Sequence, residues 1–214
     1  PTKWTYLADP NVEVRRIEPP PSTNWAVEFR GIRDVIFAPR DKTLAAIYQS
    51  GAVILFTGET NEQKLGLDAT ANGFVRAPFQ FSPDGRWAAV IAANGHARIF
   101  DRRNNGKLVG ELPQKDAWAM AFHPRSNWVA IGRPNQTLVV NFSGQPVTAF
   151  TNLWVPEALA FRADGEQLAT GNGQVGLMLW NLKTREPIRL RAPTGNFYGL
   201  DYDGSGDWFA AAGF

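Results

Sequence analysis

The stretch FSPDGRWAAV at residues 81–90 has a close counterpart in FHPRSNWVAI at residues 122–131. Each stretch has an aromatic residue, a short polar turn and then an apolar run that begins at the same offset. The two copies stand 41 residues apart. A fixed period of this length indicates a chain built from repeated structural units.

The aromatic residue of this phrase, which we call the anchor, recurs five times at steps of 44, 41, 39 and 41 residues. The anchors are Phe37, Phe81, Phe122, Phe161 and Tyr202. An apolar residue stands seven positions after each anchor, and the eighth position is alanine in every copy. Because five copies keep this register, we interpret the anchor and the alanine as fixed packing positions.

Each copy has the pattern of four short strands. The segment AWAMAF at residues 117–122 alternates with the two-residue period of a strand. A turn such as SPDG at residues 82–85 follows, in which proline presets φ and glycine accepts a positive φ. A second strand, a polar loop, a third strand and a more polar fourth strand complete the unit. Four short antiparallel strands per roughly 40 residues are typical of a β-propeller blade.

The sequence therefore predicts an all-β protein, a β-propeller of four-stranded antiparallel blades with about five blades' worth of repeats. The predicted units are residues 1–30 (third and fourth strands only), 31–70, 71–112, 113–151, 152–192 and 193–214 (first and second strands only). Two arrangements stay open. The end units close one five-bladed ring, or the chain is a fragment of a larger ring, for example a seven-bladed one. We favour the fragment.

The chain resembles WD40-repeat propellers, with degenerate repeats. The resemblance rests on the phrase at residues 81–90, on IFD at 99–101 and LWN at 179–181, and on the repeat period. No Gly-His pair precedes the first strands, and the fourth full unit keeps only Thr170 and Trp180 of the family's Asp-His-Ser/Thr-Trp set. The resemblance implies a rigid scaffold or sensor that binds a protein or peptide.

Composition narrows the classes of partner. The chain has 214 residues, of which 44% are hydrophobic and 20% charged, as in a globular protein. It has no cysteine, which excludes disulfides and thiolate metal sites and leaves the compartment undecided, with the cytoplasm favoured. The formal net charge of +2 does not indicate a nucleic-acid partner. No apolar run approaches the roughly 20 residues of a membrane span, so no membrane partner is expected.

Two glycine-rich stretches imitate ligand-binding loops. GNGQVG at residues 171–176 matches G-x-G-x-x-G, but a nucleotide loop opens a helix, and this stretch joins two predicted strands. DYDGSGD at residues 201–207 imitates a calcium loop, but the frame of such a loop needs glutamate where Ala212 stands. We interpret both stretches as turns, with bound calcium as the less favoured alternative for the second.

Catalytic and metal-binding patterns are weak. The two histidines, His96 and His123, have no companion motif, and we interpret them as solvated loop residues rather than zinc ligands. Local arginine pairs, such as Arg102 with Arg103, are interpreted as part of a solvated rim. No nucleophile motif is present. We therefore expect no catalysis, no cofactor and no metal within these residues.

Two of the eight tryptophans indicate which end of the blades binds a partner. Trp87, Trp128 and Trp208 share the position six after the anchor and are interpreted as structural. Trp118 and Trp154 break the repeat and lie in connections that lead to the next unit. These connections and the loops between second and third strands form one rim, where aromatic side chains usually anchor a partner. The alternative is that both tryptophans are core. The candidate partner-binding residues are Phe74, Lys115, Trp118, Trp154, Glu157, Asn196, Tyr198, Asn94, His96, Asn135 and Asn172.

The expected function is a non-catalytic WD40-like scaffold or sensor module in a larger signalling or regulatory protein. It would bind a protein, a peptide or another domain of the same polypeptide. Two alternatives stay open: a propeller that accompanies or gates a hydrolase, and a propeller that binds a small molecule or metal in its axial channel. Fold alone does not decide among them.

Overall fold

A computed structural model describes residues 32–48, 53–57, 62–65, 79–92, 94–151, 154–173, 176–190 and 197–213. Within these residues the chain forms four four-stranded antiparallel sheets and one two-stranded sheet. The helical structure among them is a single 3-10 turn, Arg102–Asn104. The prediction of an all-β, propeller-like fold with four-stranded blades is confirmed. The predicted unit at residues 1–30 lies outside the described residues.

The strands of each sheet are neighbours in chain order. Sheet 1 contains β1 (Ile32–Phe37), β2 (Leu44–Tyr48), β3 (Val53–Phe56) and β4 (Glu62–Leu65). Sheet 2 contains β5 (Phe79–Phe81), β6 (Trp87–Ile91), β7 (Ala97–Asp101) and β8 (Lys107–Glu111). Sheet 3 contains β9 (Ala119–Phe122), β10 (Trp128–Arg133), β11 (Gln136–Asn141) and β12 (Pro146–Thr151). Sheet 4 contains β13 (Ala158–Phe161), β14 (Gln167–Asn172), β15 (Gly176–Asn181) and β16 (Pro187–Leu190), and sheet 5 contains β17 (Phe197–Tyr202) and β18 (Phe209–Gly213).

Successive sheets pack face to face, and strand alternation explains why the repeat positions do not vary. Phe81 and Ala88 of sheet 2 lie in one buried cluster with residues of sheet 1. The next residue, Ala89, points to the opposite face and lies in the cluster shared with sheet 3. Ala89 and its counterpart Ala130 are fully buried. The anchor therefore packs on the preceding sheet and the repeated alanine on the following one.

The outward faces of sheets 1 and 5 correct part of the sequence-based interpretation. The anchor Phe37 is 70% exposed, whereas Phe81 is 9% exposed. Trp208, which we interpreted as structural like Trp87, is 77% exposed. Trp87 packs against Phe142 of the following sheet, with ring centroids 5.2 Å apart. In the described part of the chain, no further sheet lies against Trp208 in the same way.

Arg102 is not a solvated rim residue as the sequence suggested. Its side chain is 7% exposed, and its guanidinium lies 4.7 Å from the ring centroid of Phe81. It donates to Asp41 Oδ2 at 2.9 Å and Thr43 Oγ1 at 2.6 Å in sheet 1, and also to the carbonyl of Gly85. Burial opposes ionisation of Asp41, but the hydrogen bonds from Thr43 and Arg102 hold its pKa below the ordinary value. Arg102 thus joins sheets 1 and 2, whereas its neighbour Arg103 is exposed.

His123 is also buried rather than solvated, with 8% exposure. Its ring packs edge-to-face against Trp128 and against Phe161, with ring centroids 5.0 Å apart in each pair. Nδ1 accepts a hydrogen bond from the Arg125 amide at 3.1 Å, and Nε2 lies 3.1 Å from the carbonyl oxygen of Gly165 in sheet 4. The neutral Nε2–H tautomer satisfies both contacts at once. His123, the residue directly after its anchor, therefore forms a polar contact between sheets 3 and 4.

This geometry predicts a loss of stability in mild acid. Burial, with a smaller contribution from the Arg125 charge, lowers the pKa of His123, against the opposing effects of Gly165 and Asp164. A histidine whose folded pKa lies below its unfolded value of about 6.5 stabilises the fold fully above that pH. We expect the free energy of unfolding to fall as pH drops below about 6.5, by at most about 1.4 kcal/mol per pH unit.

Urea unfolding of the wild type and of His123→Gln between pH 5 and 8 measures this effect. The glutamine amide keeps a hydrogen-bond donor but does not titrate. The part of the pH dependence that disappears in the variant belongs to His123. Identical pH dependence in both proteins would show that His123 does not couple protonation to folding.

Candidate functional site

Strand alternation gives the stacked sheets two ends. We call one end the loop rim: it holds the loops between second and third strands and the connections between sheets. Its described candidate residues are Asn94, His96, Lys115, Trp118, Asn135, Trp154, Glu157 and Asn172. We call the other end the turn rim: it holds the turns between first and second strands, such as residues 162–166, and between third and fourth strands, such as residues 182–186.

The two tryptophans of the loop rim are half exposed. Trp118 is 47% and Trp154 is 48% exposed. Trp118 stands four positions before its anchor, the position that Glu157 takes in the next unit. The Trp118 amide donates to the Gly132 carbonyl at 2.8 Å, and the Glu157 amide donates to the Gly171 carbonyl at 2.8 Å. Both connections are therefore tied to the second strand of their own sheet, directly at Trp118 in one and three residues after Trp154 in the other.

Side chains of the loops hold these connections in place. Arg133 Nε donates to the Lys115 carbonyl at 2.7 Å, and Asn172 Nδ2 donates to the Val155 carbonyl at 2.5 Å. Sequence reasoning missed Arg133, although it shares with Asn172 the position eleven after the anchor. That shared position is the signal that identifies their common role. The Asn172 amide group thus supports the backbone of the rim.

The loop of sheet 2 has its own contacts. His96 Nδ1 lies 2.9 Å from the Leu112 carbonyl oxygen, to which it donates, and the Asn94 side-chain oxygen accepts from the His96 amide at 3.1 Å. Gly95 has a φ of +78°, and a Cβ at this position would lie 2.8 Å from the Asp116 amide nitrogen. The loop therefore needs glycine to approach the connection this closely.

Three of the remaining candidate residues lie in the described part of the chain and two lie outside it. Lys115 and Asn135 are exposed on the loop rim, and Asn135 adopts a positive φ of 64° in its tight turn. Tyr198 lies in β17. Phe74 and Asn196 lie outside the described residues.

The two glycine-rich stretches are connections between strands, as interpreted. The first stretch begins in β14, which ends at Asn172, and finishes at Gly176, where β15 begins. In the second stretch, Asp203 Oδ2 accepts from Ser205 Oγ at 2.5 Å and Oδ1 accepts from the Trp208 amide at 2.9 Å. These hydrogen bonds, led by that from Ser205, lower the pKa of Asp203 to about 2. Both oxygens of this carboxylate serve the turn.

No group of three or more histidine, cysteine, aspartate or glutamate side chains in the described ranges is placed to hold a metal ion. None of the helices in that same part of the chain is long and apolar enough to cross a membrane. No protein-family model matches the chain, and a search of curated proteins found no match. The structure shows a propeller-like fold of four-stranded sheets.

Proposed function

We propose that this chain is a non-catalytic, WD40-like binding module whose loop rim takes up a protein, a peptide or another domain of the same polypeptide. The observation that carries the proposal is the pair of half-exposed tryptophans, Trp118 and Trp154. The Trp118 amide is hydrogen-bonded to Gly132, and the residue after Trp154, Val155, accepts from the Asn172 side chain. A rigid scaffold that displays aromatic groups loses little conformational freedom on binding. Scaffold or sensor roles in signalling or regulation are consistent with such a surface.

Contacts inside sheet 4 support the WD40-like part of the proposal. Trp180 Nε1 donates to Thr170 Oγ1 at 3.1 Å, between the third and second strands, and both residues are buried. These are the two residues that the sequence shares with the WD40 hydrogen-bond set. In sheet 2, Asp101 at the end of the third strand accepts from Arg86 Nη2 at 3.1 Å, so its carboxylate also ties neighbouring strands together.

The expected energetics follow from the two aromatic side chains. A large aromatic anchor typically contributes about 2 kcal/mol or more to binding, which is roughly thirtyfold in affinity. The surrounding polar groups, among them Lys115 and Asn135, are exposed and contribute mainly to specificity. The proposal therefore predicts that binding depends strongly on Trp118 and Trp154.

A peptide library displayed on phage, selected on the wild type, tests this prediction. We expect each selected peptide to bind Trp118→Ala and Trp154→Ala at least about thirtyfold more weakly. Trp208→Ala is the matched control, because Trp208 is 77% exposed but lies on sheet 5 beside the first-to-second-strand turn. It should bind like the wild type.

Melting temperatures separate the two interpretations of the tryptophans. Both variants should melt within a few degrees of the wild type, because about half of each side chain is already in water. If both variants unfold, the tryptophans are core. If the selected peptides bind both variants at wild-type affinity, the loop rim is not the binding surface.

A further inference from the structure

A cavity of about 410 Å³ lies at the turn rim, between sheets 3 and 4. Its apolar wall includes Trp128 and Val147 of sheet 3 and Leu182 of sheet 4, and its outer edge includes Lys183 and Arg185. This volume falls in the usual range for small-ligand sites. The cavity is at the opposite end of the sheets from Trp118 and Trp154, so it is independent of the proposed function.

The interface between sheets 2 and 3 shows why this groove is open. Phe142 follows β11 as Leu182 follows β15, and each amide bonds back to the turn before its second strand. The Phe142 ring packs against Trp87, with centroids 5.2 Å apart, and against Phe122 at 5.9 Å. Leu182 is shorter, so the corresponding space beside Trp128 stays unfilled.

A second difference concerns the fourth strand. Gly110 pairs with Ile99, and Thr148 pairs with Val139 at the equivalent place, next to a register shift in each sheet. A Cβ on Gly110 would lie 2.4 Å from the Phe142 carbonyl oxygen, so that interface closes directly on the glycine. Thr148 has a side chain there, and sheet 4 cannot approach as closely.

The Thr148 hydroxyl is a polar group without a partner among the described residues. Thr148 is 8% exposed and lines the cavity, and its Oγ1 is buried without a hydrogen bond to that part of the chain. Buried hydroxyls almost always have a hydrogen-bond partner, and leaving one unpaired destabilises the fold. An unpaired hydroxyl at the wall of an open apolar groove therefore indicates a place where a ligand atom completes the hydrogen bond.

The charged edge is held in position by the turn. Asn181 Oδ1 accepts from the Lys183 and Thr184 amides, each at 2.9 Å, and Arg185 adopts a positive φ of 64°. Two cations and one carboxylate, Glu166, line the groove. The equivalent turn of sheet 3 has Ser143 and Gln145 where sheet 4 has Lys183 and Arg185. The two cations thus distinguish this groove from the closed interface between sheets 2 and 3.

We propose that this groove binds a small amphipathic carboxylate, such as an N-acylated apolar amino acid or the apolar end of a peptide. The apolar side chain packs on Trp128 and Leu182, and an amide N–H donates to Thr148 Oγ1. The carboxylate lies between Lys183 and Arg185, which supply charge-assisted hydrogen bonds. The apolar side chain, the amide and the carboxylate of the ligand thus match the apolar wall, the hydroxyl and the cations of the groove.

Titration of the ¹⁵N-labelled protein with N-acetyl-leucine, followed by amide chemical shifts, tests this proposal. We expect saturable shifts at Thr148 and from Leu182 to Arg185. N-acetyl-leucinamide, which lacks the carboxylate, should bind at least roughly tenfold more weakly. Acetate, which lacks the apolar group, should cause no saturable shift. Acetyl-Gly-Gly-Leu and acetyl-Leu-Glu-amide then distinguish a terminal carboxylate from a side-chain carboxylate.

Variants place the binding in the groove. Leu182→Phe copies the filled interface of sheets 2 and 3 and should abolish the shifts. Thr148→Val keeps the shape of the side chain, removes the hydroxyl and should weaken binding. Lys183→Gln combined with Arg185→Gln should weaken it at least roughly tenfold. Arg103→Gln combined with Lys107→Gln, at exposed positions of sheet 2, is the charge-matched control and should bind like the wild type. The absence of saturable shifts up to about 20 mM probe, or wild-type binding by Thr148→Val and the double variant, would overturn the proposal.

Discussion

Leu168→Asp is expected to remove most of the stability of the fold. Leu168 is fully buried in the cluster between sheets 3 and 4, where it packs with Phe161 and Trp180. An aspartate there has no cation or hydrogen-bond donor of its own, and burying an unpaired polar or charged group costs several kcal/mol. Since a typical domain is stable by only about 5–15 kcal/mol, we expect little folded protein at 37 °C. Near-ultraviolet circular dichroism during a thermal melt measures the loss.

Ile188→Asp is the matched control. Ile188 lies on β16 of the same sheet and is 58% exposed, so the same charge is introduced at a solvated position. Its free energy of unfolding should change by no more than about 0.5–1 kcal/mol. A melting temperature of Leu168→Asp within a few degrees of the wild type would contradict the packing assigned to this repeat position.

The core of the fold is predictable from the sequence because the same packing recurs. A blade with a sheet on each side must bury two faces, so the anchor and the following apolar position are constrained on one face and the repeated alanine on the other. The full burial of Ala45, Ala89 and Ala130 follows from that constraint. The turn residues also predict where the strands end, since a short turn joins the first strand of each described sheet to the second.

Contacts between sheets were less predictable, since they join residues that are far apart in sequence and differ from blade to blade. Arg102 donates a hydrogen bond to Asp41, and His123 donates one to the Gly165 carbonyl, across interfaces that no local sequence pattern indicates. Arg102 and His123 both lie in polar segments, for which the sequence predicts exposure to solvent. The residue type at one position does not distinguish a solvated cation from one that a neighbouring sheet buries.

The candidate site divides in the same way. The location of Trp118 and Trp154 on one rim follows from strand alternation, and their exposure agrees with a surface role. Their partner remains a prediction. The groove beside Trp128 exists because Leu182 is smaller than Phe142, and the Thr148 hydroxyl lies in its wall. Neither feature is recognisable from the sequence, because both require the interface of sheets 3 and 4 to be compared with that of sheets 2 and 3.

Gly165→Ala is expected to destabilise the fold strongly, although it adds only one methyl group. Gly165 has a φ of +79°, and an added Cβ would lie 2.5 Å from both Cε1 and Nε2 of His123. The His123 ring cannot move away easily, because it is buried and packs against both Trp128 and Phe161. The backbone strain of about 1–2 kcal/mol and overpacking of about 1–3 kcal/mol together predict a loss of roughly 2–5 kcal/mol. Urea unfolding measures it.

Gly204→Ala separates this clash from the general effect of a methyl group in a turn. Gly204 lies in the corresponding turn of sheet 5, has no atom within 4 Å of an added Cβ and does not adopt a positive φ, so its substitution should change stability by less than about 0.5 kcal/mol. A double-mutant cycle then assigns the cause. In the His123→Ala background, Gly165→Ala should cost only the backbone part, about 1–2 kcal/mol, because the ring that the methyl group meets is gone. An equal cost in both backgrounds would mean that the glycine is required for its φ alone and that the contact between sheets 3 and 4 tolerates a side chain.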